Sequence, residues 1–192
     1  MSTPITTRED LTRIQWFAMS AYKNEKKAEE MLKGKDGLEY FIPKHYAVRV
    51  YHGVKSKRLV PVIPNLSSCM LPENRSRIFK KKYNFLQFMM WEKSTGLKYI
   101  VVPDKQMESF IKIASQYEEN TIYYKPEEID IRKGTHICIY GGKFNGVKGV
   151  FMRVKGKRRR RVVVMLEGIM GISVEVHPDL IEVINDSDCD KF

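Results

Sequence analysis

The stretch from Ile131 to Val150, IRKGTHICIYGGKFNGVKGV, constrains this chain most. It sets Gly141, Gly142, Gly146 and Gly149 around one aromatic, Phe144, between two strand-like apolar runs. Glycine is needed where the backbone takes positive φ or where a Cβ would clash. A glycine-rich phosphate cradle needs a strand before it and a helix after it, as in GxGxxG or GxxxxGK[ST]. Here a further strand-like run, VFMRVKG, follows, and neither spacing is met. The stretch reads as the turns of a small β-barrel, and so as part of a binding module.

Short strands continue to the end of this region, as HICIY, GVFMRV, RVVVML and ISVEV. Their spacing of roughly 8–12 residues, with glycine turns, predicts a barrel over 132–184. The preceding part differs. Ile14 to Ala21 (IQWFAMSA) has the length and apolarity of a strand buried on both faces. A short helix follows with Ala28, Met31 and Leu32 on its apolar side; Asn24 suits its cap, and Gly34 and Gly37 its stop. Tyr46 to Tyr51, a turn at Gly53 and Arg58 to Val62 read as a hairpin, with KSKR as its basic turn. Leu66–Leu71, Phe85–Trp91 and Lys98–Val102 are strand-like, and Pro72-Glu73 opens a short basic helix or loop. Asp104 suits the N-cap of a helix whose Met107, Phe110, Ile111 and Ala114 fall at i, i+3, i+4 and i+7. The expectation is an α+β chain, with an N-terminal α/β sandwich of helices on an antiparallel sheet over 12–116. The segment 117–131, with Pro126 and five acidic residues, is expected to be a linker with a docking strand.

The balance of 34 Lys+Arg against 23 Asp+Glu gives +11, which favours polyanionic partners, nucleic acid or an acidic membrane surface. Cys69, Cys138 and Cys189 are too few and too scattered for a disulfide framework or a CxxC metal site. No apolar h-region opens the chain and no run approaches the ~18 residues of a membrane span. A cytoplasmic protein without a membrane association is expected.

His45, His52, His136 and His177 have no second ligand at helical spacing, so no metal is expected. No GxSxG, supported Cys/His pair or carboxylate pair in an apolar setting is present. The chain is read as a non-enzyme without a cofactor. Two basic clusters stand out: Arg75, Arg77, Lys80, Lys81 and Lys82, and the run Lys157, Arg158, Arg159, Arg160 and Arg161 at a turn between strands. A solvated face or a charge-protected hairpin tip is the plain explanation of each. The density of the second run favours a phosphate contact, independent of sequence and sensitive to salt. Trp16, Phe17, Tyr46, Tyr51, Phe85, Phe88 and Trp91 are expected in the core.

With this layout the chain resembles the NusG family of transcription elongation factors. Gly134, Gly142, Phe144, Gly146 and Gly149 fall where a KOW module wants them. Trp16-Phe17, Glu25 to Leu32, Ile42-Pro43, Val60 to Leu66 and Lys98 to Pro103 follow the order of landmarks in an NGN domain. The match covers roughly residues 12–184, and is most similar to the antiterminators of capsular polysaccharide operons, the UpxY group. The resemblance implies that the N-terminal domain binds the clamp helices of the RNA polymerase largest subunit and favours the closed, pause-resistant enzyme. Trp16, Ile63, Pro64, Asn65 and Leu66 would carry that contact, with Ile63-Pro64-Asn65-Leu66 in place of the family's Phe-Pro-Gly-Tyr. Arg75 to Lys82 would lie near DNA, and the C-terminal run would meet DNA or nascent RNA. Phe144, Ile169 and Met170 would meet a second partner, such as Rho or a small-subunit ribosomal protein. A monomer is expected. The competing reading is an RNA- or ribosome-binding KOW protein that does not modulate polymerase.

Overall fold

The computed structural model describes residues 13–21, 25–33, 38–72, 76–93 and 96–184. In chain order the elements are β1 (Ile14–Ser20), α1 (Glu25–Leu32), β2 (Tyr40–Phe41), β3 (Lys44–Tyr51), β4 (Val54–Pro61) and β5 (Leu66–Pro72). Next come α2 (Ser76–Lys82), β6 (Gln87–Phe88), β7 (Met90–Lys93), β8 (Gly96–Tyr99), β9 (Val101–Val102) and α3 (Asp104–Ala114). The chain closes with β10 (Ile122–Tyr124), β11 (Thr135–Ile139), β12 (Lys148–Arg153), β13 (Arg160–Leu166), β14 (Met170–Val174) and β15 (Ile181–Val183). The architecture is mixed α/β with antiparallel sheets. Two compact units form, one from 1–42 with 63–102, the other from 43–62 with 103–192.

The first unit is built on β1. Its neighbours are β5 on one side and β6 and β9 on the other, all antiparallel, with β2 beyond β5. Four consecutive residues, Trp16 to Met19, are buried, as a central strand covered on both faces requires. Phe17 and Met19 pack with Ala28 and Leu32 of α1, Cys69 and Leu71 of β5, and Phe79, Tyr83, Leu86 and Phe88. Phe17 meets Phe88 edge to face, with ring centroids 5.4 Å apart. The capping and stop residues expected for α1, Asn24, Gly34 and Gly37, lie outside the described residues.

The second unit is a six-stranded antiparallel sheet in the order β10-β14-β13-β12-β11-β15. The barrel expected over 132–184 is not found: the path is open, with β10 and β15 at its ends. Three-residue strands cover both edges of the β11–β14 meander, which protects those edges without closure. Within 117–131, β10 pairs with β14, with Tyr123 opposite Ile172. Gly141, Gly142 and Gly146 have φ of 88°, 64° and 80° in the β11–β12 loop, the left-handed conformation glycine adopts at no steric cost. Gly149 is there for room: a Cβ at this position would lie 2.7 Å from the carbonyl oxygen of Val163 on β13.

Helix α3, expected within the N-terminal stretch, lies instead against β12, β13 and β14 of the second unit. Its Met107, Ser109, Phe110, Ile113 and Ala114 are buried, a stripe of helical period. The Ser109 hydroxyl accepts from the Lys148 amide at 3.2 Å. Pro103, not Asp104, is the N-cap, so Asp104 opens the first turn, where its charge suits the helix dipole.

The β3–β4 ribbon pairs Lys44 with Pro61 through to Tyr51 with Val54. His52 and Gly53, both at positive φ (47° and 77°), make the two-residue turn. The KSKR sequence thus runs inside β4 and is not the turn. Tyr46 and Tyr51, expected in the core, are exposed. Among the described residues this two-stranded ribbon gains no third strand to bury them. At its base Tyr46 stacks edge to face on Tyr117, and the Lys57 ammonium pairs with Glu119 at 2.9 Å.

Candidate nucleic-acid interface

Ile63 to Leu66 forms a β-turn in the first unit. The Leu66 amide donates to the Ile63 carbonyl at 3.3 Å, with Pro64 and Asn65 between them. Asn65 has φ 66°. Proline at the second position and positive φ at the third suit a type II turn, and Asn tolerates that backbone better than most residues. The Asn65 carbonyl also accepts from the Ala21 amide at 2.7 Å, which fixes the turn to the end of β1. Pro64 is exposed and Ile63 half-buried, whereas Leu66 and Trp16 belong to the buried core. Of the five residues assigned to a polymerase contact, the turn presents Ile63, Pro64 and Asn65.

Arg75 lies outside the described residues, and only the backbone of Arg77, within α2, is described. Lys80, Lys81 and Lys82 are exposed on the last turn of α2, where cations suit the helix dipole. The helix is anchored from its other side by Phe79 and Tyr83 at i, i+4, with ring centroids 4.6 Å apart.

In the second unit, β12 and β13 are joined by a turn around Gly156 (φ 77°) that carries Lys155, Lys157, Arg158 and Arg159 into solvent. Arg159 pairs with Glu175 at 2.7 Å. Arg160, the first residue of β13, sets its guanidinium over the Phe151 ring, 5.8 Å from the centroid. Arg161 departs from the assignment made for the run as a whole, because it is only 4% exposed. Its Nε donates to Ser173 Oγ at 2.7 Å, and its Nη2 donates to the carbonyls of Ser173 at 3.1 Å and of Asn120. Ser173 Oγ also meets the Tyr124 hydroxyl at 3.1 Å. Arg161 therefore ties β13, β14, β10 and the segment before β10 into one buried network. The solvent-facing part of the basic run is Lys157 to Arg160.

Phe144, Ile169 and Met170, assigned to a second partner, are buried in the second unit, with Met170 at 1% exposure. Phe144 sits beneath the β11–β12 glycine loop, where the Val147 amide donates to its carbonyl at 3.0 Å. In this conformation these side chains serve packing.

An open cleft of about 680 Å³ lies beside the β12–β13 turn, lined by Asn120, Phe151, Arg159, Arg160, Glu175 and Val176 to Pro178. Phe151 was missed from sequence because its setting, GVFMRV, reads as an ordinary strand. The signal that could have found it is a strand aromatic followed, after a glycine turn, by a run of arginines on the returning strand.

Among the described residues no group of three or more His, Cys, Asp or Glu side chains could hold a metal ion. No described helix is long and apolar enough to cross a membrane. Against family models the chain has no match, and no curated protein matches it.

Proposed function

We propose that the chain is a non-enzymatic transcription elongation or antitermination factor of the NusG type. On this reading its first unit binds RNA polymerase, and its basic segments meet the nucleic acid that the enzyme carries. The observation that carries the reading is the Ile63–Leu66 turn. It offers an exposed Pro64 and a half-buried Ile63, and Asn65, where the family's motif has glycine, holds a positive φ that glycine adopts freely. Exposed Lys80 to Lys82 on the same unit suit a DNA contact. Binding energy available only to the clamp-closed state would shift polymerase away from pausing. The genes controlled would be capsular polysaccharide operons, as the resemblance implies.

Leu66→Asp is a poor test, because Leu66 is 5% exposed and its loss reports on folding. The double substitution Ile63→Asp, Pro64→Asp changes the presented part of the turn. It should weaken binding to a polymerase fragment carrying the clamp helices by at least ~2 kcal/mol, the scale of a hot spot. Terminator read-through in a purified transcription reaction should rise with the wild-type chain and not with this variant. Equal read-through with and without the protein overturns the proposal.

The Phe151 cleft favours a second reading, an RNA- or ribosome-binding protein. Co-purification separates the two: polymerase subunits retained at moderate salt support the first, and ribosomal RNA released as salt rises supports the second.

A further inference from the structure

We infer that the cleft beside the β12–β13 turn receives an unstacked base, so that this unit binds single-stranded nucleic acid in preference to duplex. The inference rests on reading Lys157 to Arg160 as a nucleic-acid contact, which both functional readings share, and it names the polymer that contact takes. Four observations lead to it. The cleft's size, about 680 Å³, is that of a small-ligand site. Its lining joins the half-buried Phe151 ring with the apolar Val176 and Pro178. Arg160 stands over that ring as a planar cation, and a flat guanidinium beside an aromatic is a platform on which a base stacks. Lys155, Lys157 and Arg158 are exposed on the turn at the cleft's side, where a phosphodiester backbone entering the cleft would pass.

A base is favoured over a simple anion by the stacking platform and by the hydrogen-bonding groups of the lining, not by the cleft's charge. Glu175 pairs with Arg159 at 2.7 Å and faces the buried Arg161 at 3.9 Å, and Arg160 is a further cation of the lining, so a phosphate is also accommodated there. A base carries no charge, and its edge offers donors and acceptors that suit Glu175, Asn120 and His177. Duplex hides its base faces by stacking, so only a strand with accessible bases gains from the platform.

The test uses the full chain and fluorescently labelled oligonucleotides of one length: single-stranded RNA, single-stranded DNA, an abasic strand and a duplex. Anisotropy is followed over a salt series. Base-bearing single strand should bind about tenfold tighter than the abasic strand, the scale of one stacked base. Phe151→Leu and Arg160→Lys should each remove most of that tenfold advantage while leaving abasic affinity and the salt slope unchanged. Arg160→Lys keeps the charge at an exposed position, so it decides the matter even where Phe151→Leu unfolds. A preference for RNA or for DNA supports the inference and names the source of the strand. Duplex bound as tightly as single strand, or abasic strand bound as tightly as base-bearing strand, overturns it. Neither result depends on polymerase, so failure of the transcription assay leaves this outcome separate.

Discussion

The Arg161 guanidinium lies 2.7 Å from Ser173 Oγ across the β13–β14 ladder, buried while its neighbours Arg158 to Arg160 face solvent. One side chain of a basic run is thus structural and the rest are available for contact. Arg161→Ala should destabilise the chain by about 2–4 kcal/mol, because the Ser173 and Asn120 carbonyls lose their charged donor. Arg158→Ala should leave the melting temperature unchanged and lower nucleic-acid affinity, with a salt slope smaller by about 1. Thermal melts and a salt titration of both variants check this. A stable Arg161→Ala would refute the structural role.

Asn65 holds its turn at φ 66°, a conformation that costs a non-glycine residue roughly 1–2 kcal/mol, less for Asn. Asn65→Gly should therefore shift stability by under ~1 kcal/mol. Asn65→Val, with its branched Cβ, should lose about 2 kcal/mol or more. Urea denaturation of the pair reads the difference. Equal stability of the two variants would mean that the turn rearranges around residue 65.

Much of this fold is written locally. IQWFAMSA is apolar without alternation, and β1 is indeed buried on both faces. Met107, Phe110 and Ala114 recur at helical period, and α3 buries all three. What could not be read locally depends on which surface comes to meet which. Nothing in the spacing of HICIY, GVFMRV, RVVVML and ISVEV distinguishes a closed barrel from an open sheet whose edges are covered by β10 and β15. Tyr46 and Tyr51 fall on opposite faces of β3, and their ribbon gains no further strand among the described residues to bury either face. In KRRRR every position looks alike. Successive residues of β13 face opposite sides, and only the fold shows that Ser173 of β14 and the Asn120 carbonyl wait on the side of Arg161. The turn at Ile63–Leu66 was legible as a break, but not that Leu66 would point inward.

Gly149 faces a backbone acceptor that cannot move aside. A Cβ there would stand 2.7 Å from the Val163 carbonyl oxygen and 3.1 Å from side-chain methyls of Val162 and Val164. Gly149→Ala should cost about 2–3 kcal/mol, as overpacking at a rigid ladder does. Gly156→Ala meets no atom within 4 Å and should cost only about 1 kcal/mol, from its φ of 77°. The ordering of the two midpoints in urea is the check, and a reversed order would contradict the close approach of β12 to β13.

Cys69 on β5 is fully enclosed in the first unit's core, and burial pushes its thiol up from 9.0 to about 12. Tyr123 is raised in the same way, from 10.0 to about 12, by burial first and then by Tyr117. A folded-state value above the unfolded one means that the folded chain holds its proton longer. That stability is fully present below about pH 9 and is lost as pH rises from about 9 towards 12. Near pH 10.5 the Cys69 contribution to the loss should approach about 2 kcal/mol, at roughly 1.4 kcal/mol per pH unit. Cys69→Ala should be less stable at pH 7, by about 1 kcal/mol or more for the lost sulfur packing, yet should lose less on going to pH 10.5. The native thiol should also resist iodoacetamide at pH 8 and react on unfolding, since the thiolate is the nucleophile. The wild type and Cys69→Ala are compared by urea unfolding at both pH values. Parallel losses in the two proteins would place the alkaline sensitivity elsewhere, with Tyr123 the next group to replace.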